Sequence, residues 1–146
     1  MLVRQILKGK GEGAGKVITV KPGDRISEVA AILAERRIGG VIVSTDGETV
    51  EGILSERDIV RSLAARGATC LDDKVEDLMT RNPVCCGRED SSDQVLTRMT
   101  EGRFRHMPVV EEGKLIGIVT IGDVVSARLS ELSIEKDALQ GMIMGR

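Results

Sequence analysis

The sequence predicts an α+β fold of two pseudo-symmetric β-α-β-β-α units packed as one body, with an extended C-terminal helix. Three observations predict it. "GILSERDIV", Gly52 to Val60, returns as "GIVTIGDVV", Gly117 to Val125, with glycine, hydroxyl, aspartate and branched residues in the same order. The residues around both copies alternate between strand-like and helix-like periodicity in the same sequence of steps. A chain of 146 residues with 41% apolar content can form two small units, and units of ~50 residues are marginal alone, so they should share a core.

The elements follow in order. A shift of 66 residues lays "VITVKPGDRISEVAAILAERRIGGVIV" on "PVCCGREDSSDQVLTRMTEGRFRHMPV", so that Asp24 meets Asp90, Val29 meets Val95, Ile38 meets Phe104 and Val43 meets Val109. The branched runs "KVITV" and "PVCC" read as first strands. A turn ending in Asp24 or Asp90 can cap the helix after it. In "RISEVAAILAERR", Ile26, Val29, Ala30, Leu33 and Ile38 recur at helical spacing. "GGVIVS" and "VEGILS", or "HMPVVE" and "KLIGIVT", flank a short Gly-containing turn and read as hairpins. Past the turns "TDGE" and "EEGK" the shift becomes 65, and Gly52, Ser55 and Asp58 fall on Gly117, Thr120 and Asp123. A last helix opens at Ser55 or Thr120. The linker carries a stop at Gly67 and a short helix that Asp72 or Asp73 could cap. In the tail, Leu129, Leu132, Leu139 and Ile143 form an apolar stripe that needs a cover, and a dimer contact is the expected one.

Composition excludes several function classes. One Phe, no Trp and no Tyr leave an aliphatic core, with no row of aromatic platforms for single-stranded nucleic acid. Net charge is −2 with no block of like charge, so neither a nucleic-acid nor an anionic-membrane partner is expected. No apolar run approaches the ~20 residues of a membrane span. "MLVRQILKGK" lacks the apolar length and cleavage site of a signal peptide, and a cytoplasmic location is expected. Cys70, Cys85 and Cys86 form no CxxC pair, and one histidine is too few for a structural zinc site. Reduced thiols are the ordinary expectation. A redox switch at Cys85-Cys86 is the alternative, opposed by strand geometry that points the two side chains apart.

"GKGEGAGK", Gly9 to Lys16, imitates a phosphate loop. That pattern works only between a buried strand and a helix whose N-terminus meets the phosphate. Here a strand-like run and Pro22 follow, and Lys10 stands where a Walker loop has its first glycine. The segment reads as a flexible connector.

Ser55-x-x-Asp58 and Thr120-x-x-Asp123 have two readings. Hydroxyl, two residues, acid is a capping box. The same residues at a strand-to-helix junction also suit a nucleotide, since helix N-terminus, hydroxyl and arginine hold phosphate while aspartate accepts from a ribose diol. Arg57, Arg103, Arg105 and His106 lie close by in sequence.

Two β-α-β-β-α units that each carry "G-h-h-[ST]-x-x-D" resemble a tandem pair of cystathionine β-synthase (CBS) domains, a Bateman module. "GILSERD", "DLMTRNPV", "RFRHMPVVEEGKLIGIVT" and "GDVV" look like small standalone bacterial CBS-pair proteins, over roughly Lys16 to Leu129. The resemblance divides the chain into an N-terminal helix and connector (1–15), a first CBS domain (16–66), a linker with a short helix (67–79), a second CBS domain (80–130) and a helical tail (131–146). It implies a regulatory homodimer that binds adenine nucleotides as ligands, AMP, ADP, ATP or NAD(H), without a metal, and acts on an unidentified protein partner. Carried over, Asp58, Asp123, Ser55 and Thr120 hold ribose. Arg57, Arg105 and His106 hold phosphate, joined by Thr80 and Arg81. Ile18, Gly39, Gly40, Val41, Cys85, Met107, Pro108, Ile121 and Gly122 line the adenine slots, largely through backbone groups.

Arg57 faces Gly122 across the repeat, and Arg105-His106 face Gly39-Gly40, so the two clefts should differ in charge and one should take a larger or more anionic ligand. Protonation of His106 should make phosphate affinity fall as pH rises through about 6.5. An enzyme is not expected: the single His has no Ser or Cys at a catalytic spacing, and two carboxylates in separate clefts make no acid–base pair. The remaining alternative is a ligand-free dimerisation scaffold whose motifs only cap helices.

Overall fold

The computed structural model describes residues 1–10 and 17–143. The connector segment 11–16, where most of "GKGEGAGK" and the expected start of the first unit fall, lies outside the described residues, as does the side chain of Ile143. The chain opens with α1 (Val3–Gly9) and then writes the repeat twice. In the first unit β1 (Thr19–Val20) runs parallel to β2 (Gly40–Val43), so a crossover is required, and α2 (Ile26–Arg36) supplies it. β3 (Gly52–Ser55) pairs antiparallel with β2, Gly40 opposite Ser55, and leads directly into α3 (Glu56–Arg66). A 3₁₀ turn, Gly67–Asp72, and α4 (Val75–Leu78) follow, and β4 (Thr80–Arg81) closes the sheet in the order β1-β2-β3-β4. In the second unit α5 (Ser92–Gly102) precedes β5 (His106–Glu111) and β6 (Lys114–Thr120), with His106 opposite Thr120, and α6 (Ile121–Ile143) ends the described chain.

The expected first strand of the second unit is reduced to one parallel bridge, Cys86 to Val109. The cause is Pro108. Cys86 N–H donates to the Pro108 carbonyl and Val110 N–H to the Cys86 carbonyl, both at 2.9 Å. The next rung toward Val84 would need an N–H on residue 108, which proline lacks.

Each unit encloses its own aliphatic core. Val20, Ile26, Val29, Leu33, Val41, Val43, Leu54 and Ile59 fill the first. Cys86, Val95, Met99, Met107, Val109, Val119 and Val124 fill the second at the shifted positions. The short outer helices are exchanged relative to chain order. α4, by Val75, completes the first core, whereas α1, by Val3 and Ile6, completes the second. The same hydrogen bonds seat both: Val75 N–H donates to the Asp24 carbonyl and Val3 N–H to the Asp90 carbonyl. The bridges Arg25–Lys74 and Leu2–Ser91 correspond likewise.

Four local expectations are corrected. Asp24 and Asp90 close their turns by accepting from the Lys21 and Gly87 N–H groups at 2.9 and 2.7 Å. The helices instead start after Arg25 and Ser91, and Ser91 Oγ accepts from Gln94 N–H. α4 starts after Lys74, and Asp73 pairs with Arg66 instead of capping it. The turn between β2 and β3 is an eight-residue loop, 44–51, whereas Glu112 and Gly113, both at positive φ, make the tight turn expected between β5 and β6. Gly67, at φ 71°, does end α3. On α6, the stripe residues Leu129, Leu132 and Leu139 are 62%, 45% and 58% exposed, uncovered by the chain itself.

Candidate functional site

The strands β3 and β6 end where α3 and α6 begin, and the two junctions share the bond from the strand-end N–H to the aspartate but use their hydroxyls differently. Ser55 N–H and its hydroxyl donate to Asp58 Oδ2 at 2.9 and 3.1 Å. Thr120 N–H donates to Asp123 Oδ2 at 2.9 Å, and Asp123 N–H donates to Thr120 Oγ1 at 3.1 Å. The capping boxes exist, so that reading holds as far as it goes. It spends one carboxylate oxygen of each aspartate and leaves Oδ1 without a hydrogen bond among the described residues.

Each junction opens onto a cavity between the two units, and each cavity is assembled crosswise. The first, of about 300 Å³, sets Ser55, Asp58, Arg57 and Thr80 of the first unit and its linker against Arg105 and His106 of the second. The second, of about 350 Å³, sets Thr120 against Ile18, Gly39 and Gly40 of the first unit. Both volumes sit at the low end of the range usual for ligand pockets. Charge gathers in the first: Arg57 and Arg61, one turn apart on α3, meet Arg103 and Arg105. Glu56 lies beside Asp58 there as the second acid. The second cavity holds Lys10 and Arg37.

Arg37 and Arg103 occupy matched places. Each ends its helix in the left-handed region, at φ 54° and 56°, a conformation that costs a non-glycine residue of order 1 kcal/mol. The turn brings each side chain to the rim of one cavity.

His106 is the wall between the two. Its ring lies against Gly39 and Gly40, where a Cβ would come within 3.2 and 3.1 Å of it, so those glycines make room for the imidazole. Burial lowers its pKa, Glu56 and Asp123 pull against that, and Arg105 and Lys10 add to it. The step in phosphate affinity expected at about 6.5 therefore moves to lower pH.

Other expected residues stand elsewhere. The side chains of Val41 and Met107 belong to the cores and Pro108 is buried, so none of the three lines a cavity. Cys85, Ile121, Gly122 and Asp123 are also outside both linings; Asp123 adjoins the second cavity through Lys10, which lines that cavity and pairs with its carboxylate. Arg81 points to the Glu76 carbonyl at 3.4 Å. In place of Cys85, Pro83 and Val84 line the first cavity. The shift of 66 applied to Ile18 gives Val84, so the repeat itself held that signal. Phe104, the one aromatic residue of the sequence, lines it too. Arg61, Asn82 and Lys10 join the set unannounced by the sequence, whereas Arg103 is one of the nearby charges it presents. The i, i+4 spacing of Arg57 and Arg61 was the one available sign.

The chemistry is that of binding. Burial raises the Cys85 thiol and, with Asp90 alongside, pushes Cys86 up to about 12. Thiols held protonated are poor nucleophiles, which weighs against the redox alternative. Among the described residues no three His, Cys, Asp or Glu side chains gather as a metal set. No helix there is long and apolar enough to cross a membrane.

Comparison with known proteins meets this geometry. The family model described as CBS domain matches residues 14–65 and 75–130. The crystal structure of a CBS-domain-containing protein from Agrobacterium tumefaciens is 44% identical, with a TM-score of 0.82 over 88% of this chain and 99% of that one. A CBS domain pair solved with 5-methylthioadenosine and S-adenosyl-L-methionine is 26% identical, with a TM-score of 0.77 over 90% of this chain and 98% of that one. A CBS domain protein from Pyrobaculum aerophilum complexed with AMP is 25% identical, with a TM-score of 0.72 over 84% and 89%. Among curated relatives about 30% identical, the chain spans 72% of one Arabidopsis thaliana protein but only 23% of another.

Proposed function

The chain belongs to the CBS domain family and carries two such domains, and from that premise we propose that it is a regulatory module that binds adenine nucleotides in two unequal clefts. The observation that carries the reading is Asp58, whose Oδ1 is open to a ribose diol in a cavity rimmed by four arginines. A carboxylate accepts both diol protons, and guanidinium groups beside it supply charge-assisted bonds to phosphate. In this reading Ser55 and Thr120 lie against ribose or phosphate, Arg57, Arg105 and His106 hold phosphate with Thr80, and the strand entries at Ile18, Gly39, Gly40 and Val84 flank the adenine. AMP, ADP, ATP and NAD(H) are the candidate ligands. They are bound and not turned over.

The module acts as a homodimer on a protein partner. Support comes from matched apolar positions left exposed on α3 and α6, Val60 at 62% and Val125 at 43%, continued by Leu129 and Leu132. A dimer would bury them. Light scattering that returns one chain's mass, unchanged by Leu129→Glu, would remove that part.

A scaffold with empty clefts is the second reading, because in both motifs the aspartate already accepts from the N–H at the strand end without a ligand. A thermal-shift panel of AMP, ADP, ATP, NAD and NADH on the unsubstituted chain, Asp58→Ala and Asp123→Ala separates the two. A ligand at ~100 times its Kd adds roughly 2.7 kcal/mol, several degrees for a domain this size. A shift abolished by one substitution assigns that ligand to its cleft; no shift with any compound leaves the scaffold.

A further inference from the structure

Lys10 belongs to the segment that failed as a phosphate loop, yet its ammonium reaches into the second cavity. Its Nζ lies 2.8 Å from Asp123 Oδ2 and donates to the Ile118 carbonyl at 2.9 Å. The position is built. Leu7 packs on Gly117, where a Cβ would come within 2.8 Å of its Cδ2, and Lys10 N–H closes α1 on the Leu7 carbonyl. The pair is three-quarters sheltered, with side chains 25% and 22% exposed.

Among the described residues the first cavity has no such ion pair. The bridges Leu2–Ser91 and Lys74–Arg25 set Leu2 against Lys74, a shift of 72, which places Asn82 at the position of Lys10. Asn82 lines the Asp58 cavity and carries no charge. Asp58 is therefore open, while Asp123 is held by a cation of the same chain.

We propose that Lys10 sets the ligand specificity of the second cleft, acting as a tethered cation that yields Asp123 only to an adenine compound bearing phosphate. The proposal rests on the nucleotide reading above. A ribose diol that donates to Asp123 competes with the ammonium for one carboxylate. A phosphate on the same ligand gives Nζ a new anion within reach of its flexible stem, so one ion pair is exchanged for another. An uncharged nucleoside offers no such exchange and must bind beside the ammonium or break the pair uncompensated.

The test isolates the second cleft in an Asp58→Ala background and titrates AMP and adenosine by calorimetry, with Lys10 intact, Lys10→Met and Lys10→Arg. Lys10→Met is expected to tighten adenosine and weaken AMP, lowering the AMP-to-adenosine affinity ratio about tenfold, while Lys10→Arg keeps it. A merely structural lysine would move both ligands together, so a ratio unchanged in Lys10→Met overturns the proposal and leaves the nucleotide reading standing. Silence toward both ligands in every Lys10 form, while the chain with Asp58 intact binds AMP, also overturns it by removing the second cleft as a site. If the chain with Asp58 intact binds neither compound, the nucleotide reading falls and the proposal with it.

Discussion

The two clefts share one backbone plan and face each other across His106, but their charges differ in number and in freedom. In the Asp58 cleft four arginines surround an aspartate that no cation among the described residues pairs with. In the second cleft the described residues supply one lysine and one arginine, and the lysine is already paired with Asp123. The cause is crosswise assembly. Arg57 and Arg105 sit at non-equivalent positions of the repeat, and each alone would make its own unit slightly more basic. Packing the aspartate end of one unit on the strand entries of the other brings both to the same cleft, and the matched positions, Gly122 and Gly39-Gly40, supply no charge to the second. Near-identical halves thus yield unlike sites, because a site is made from the part of each half that the other half lacks.

The comparison can be broken in four ways. The largest effect is expected at Asp58. Asp58→Ala should weaken AMP at the first cleft by about a hundredfold, the loss of two hydrogen bonds to a charged acceptor, and leave the second cleft unchanged by calorimetry. Next come the matched glycines of β3 and β6. A Cβ at Gly52 meets Met79 Sδ at 2.7 Å and the Thr80 carbonyl at 2.9 Å, whereas at Gly117 it meets only the Leu7 side chain. Backbone cannot step aside as a leucine can. Gly52→Ala should cost ~2–3 kcal/mol and Gly117→Ala about 1 kcal/mol in urea denaturation.

The arginine cluster sharpens the contrast at a smaller scale. Arg57→Ala should cut the preference of the first cleft for ATP over AMP about tenfold, with a weaker salt dependence, and should not alter the second. The smallest effect is that of His106. Its folded pKa lies below the ordinary value, so as pH falls through 6.5 the unfolded chain takes up the proton first. Stability is fully present above 6.5, declines below it and levels off beneath the folded pKa. Melting temperatures from pH 7.5 to 5 should show that slope, and His106→Asn should flatten it.

The repeat carried much of this. Aligning Val43 with Val109 and Ser55 with Thr120 reads out the register of both hairpins, the partition of the cores and the two aspartates, because side-chain period and turn chemistry are local properties. Local signals also misled. Asp24 and Asp90 look like caps one residue too early, and the choice between closing a turn and capping a helix depends on where the chain goes next. Pro108 erased a strand because it has no N–H to donate to Val84, 24 residues upstream. Lys10 was beyond reach, since its partner is 113 residues away and nothing in "LKGK" names it. The pairing of α1 with the second unit was hidden for the same reason: "VRQILKG" and "VEDLMTR" share a pattern too short to be seen as a third repeat.

That pairing sets an order of events during synthesis. The first unit, from β1 to β4, can close on itself once α4 is made, from contacts that span about sixty residues. α1 emerges earlier than any of it, yet its seat against Ser91 and the second core is made about ninety residues later. α1 is thus made before either unit yet finds its place only after both, and the long loop it must close carries an entropic cost that the local closure of the first unit avoids.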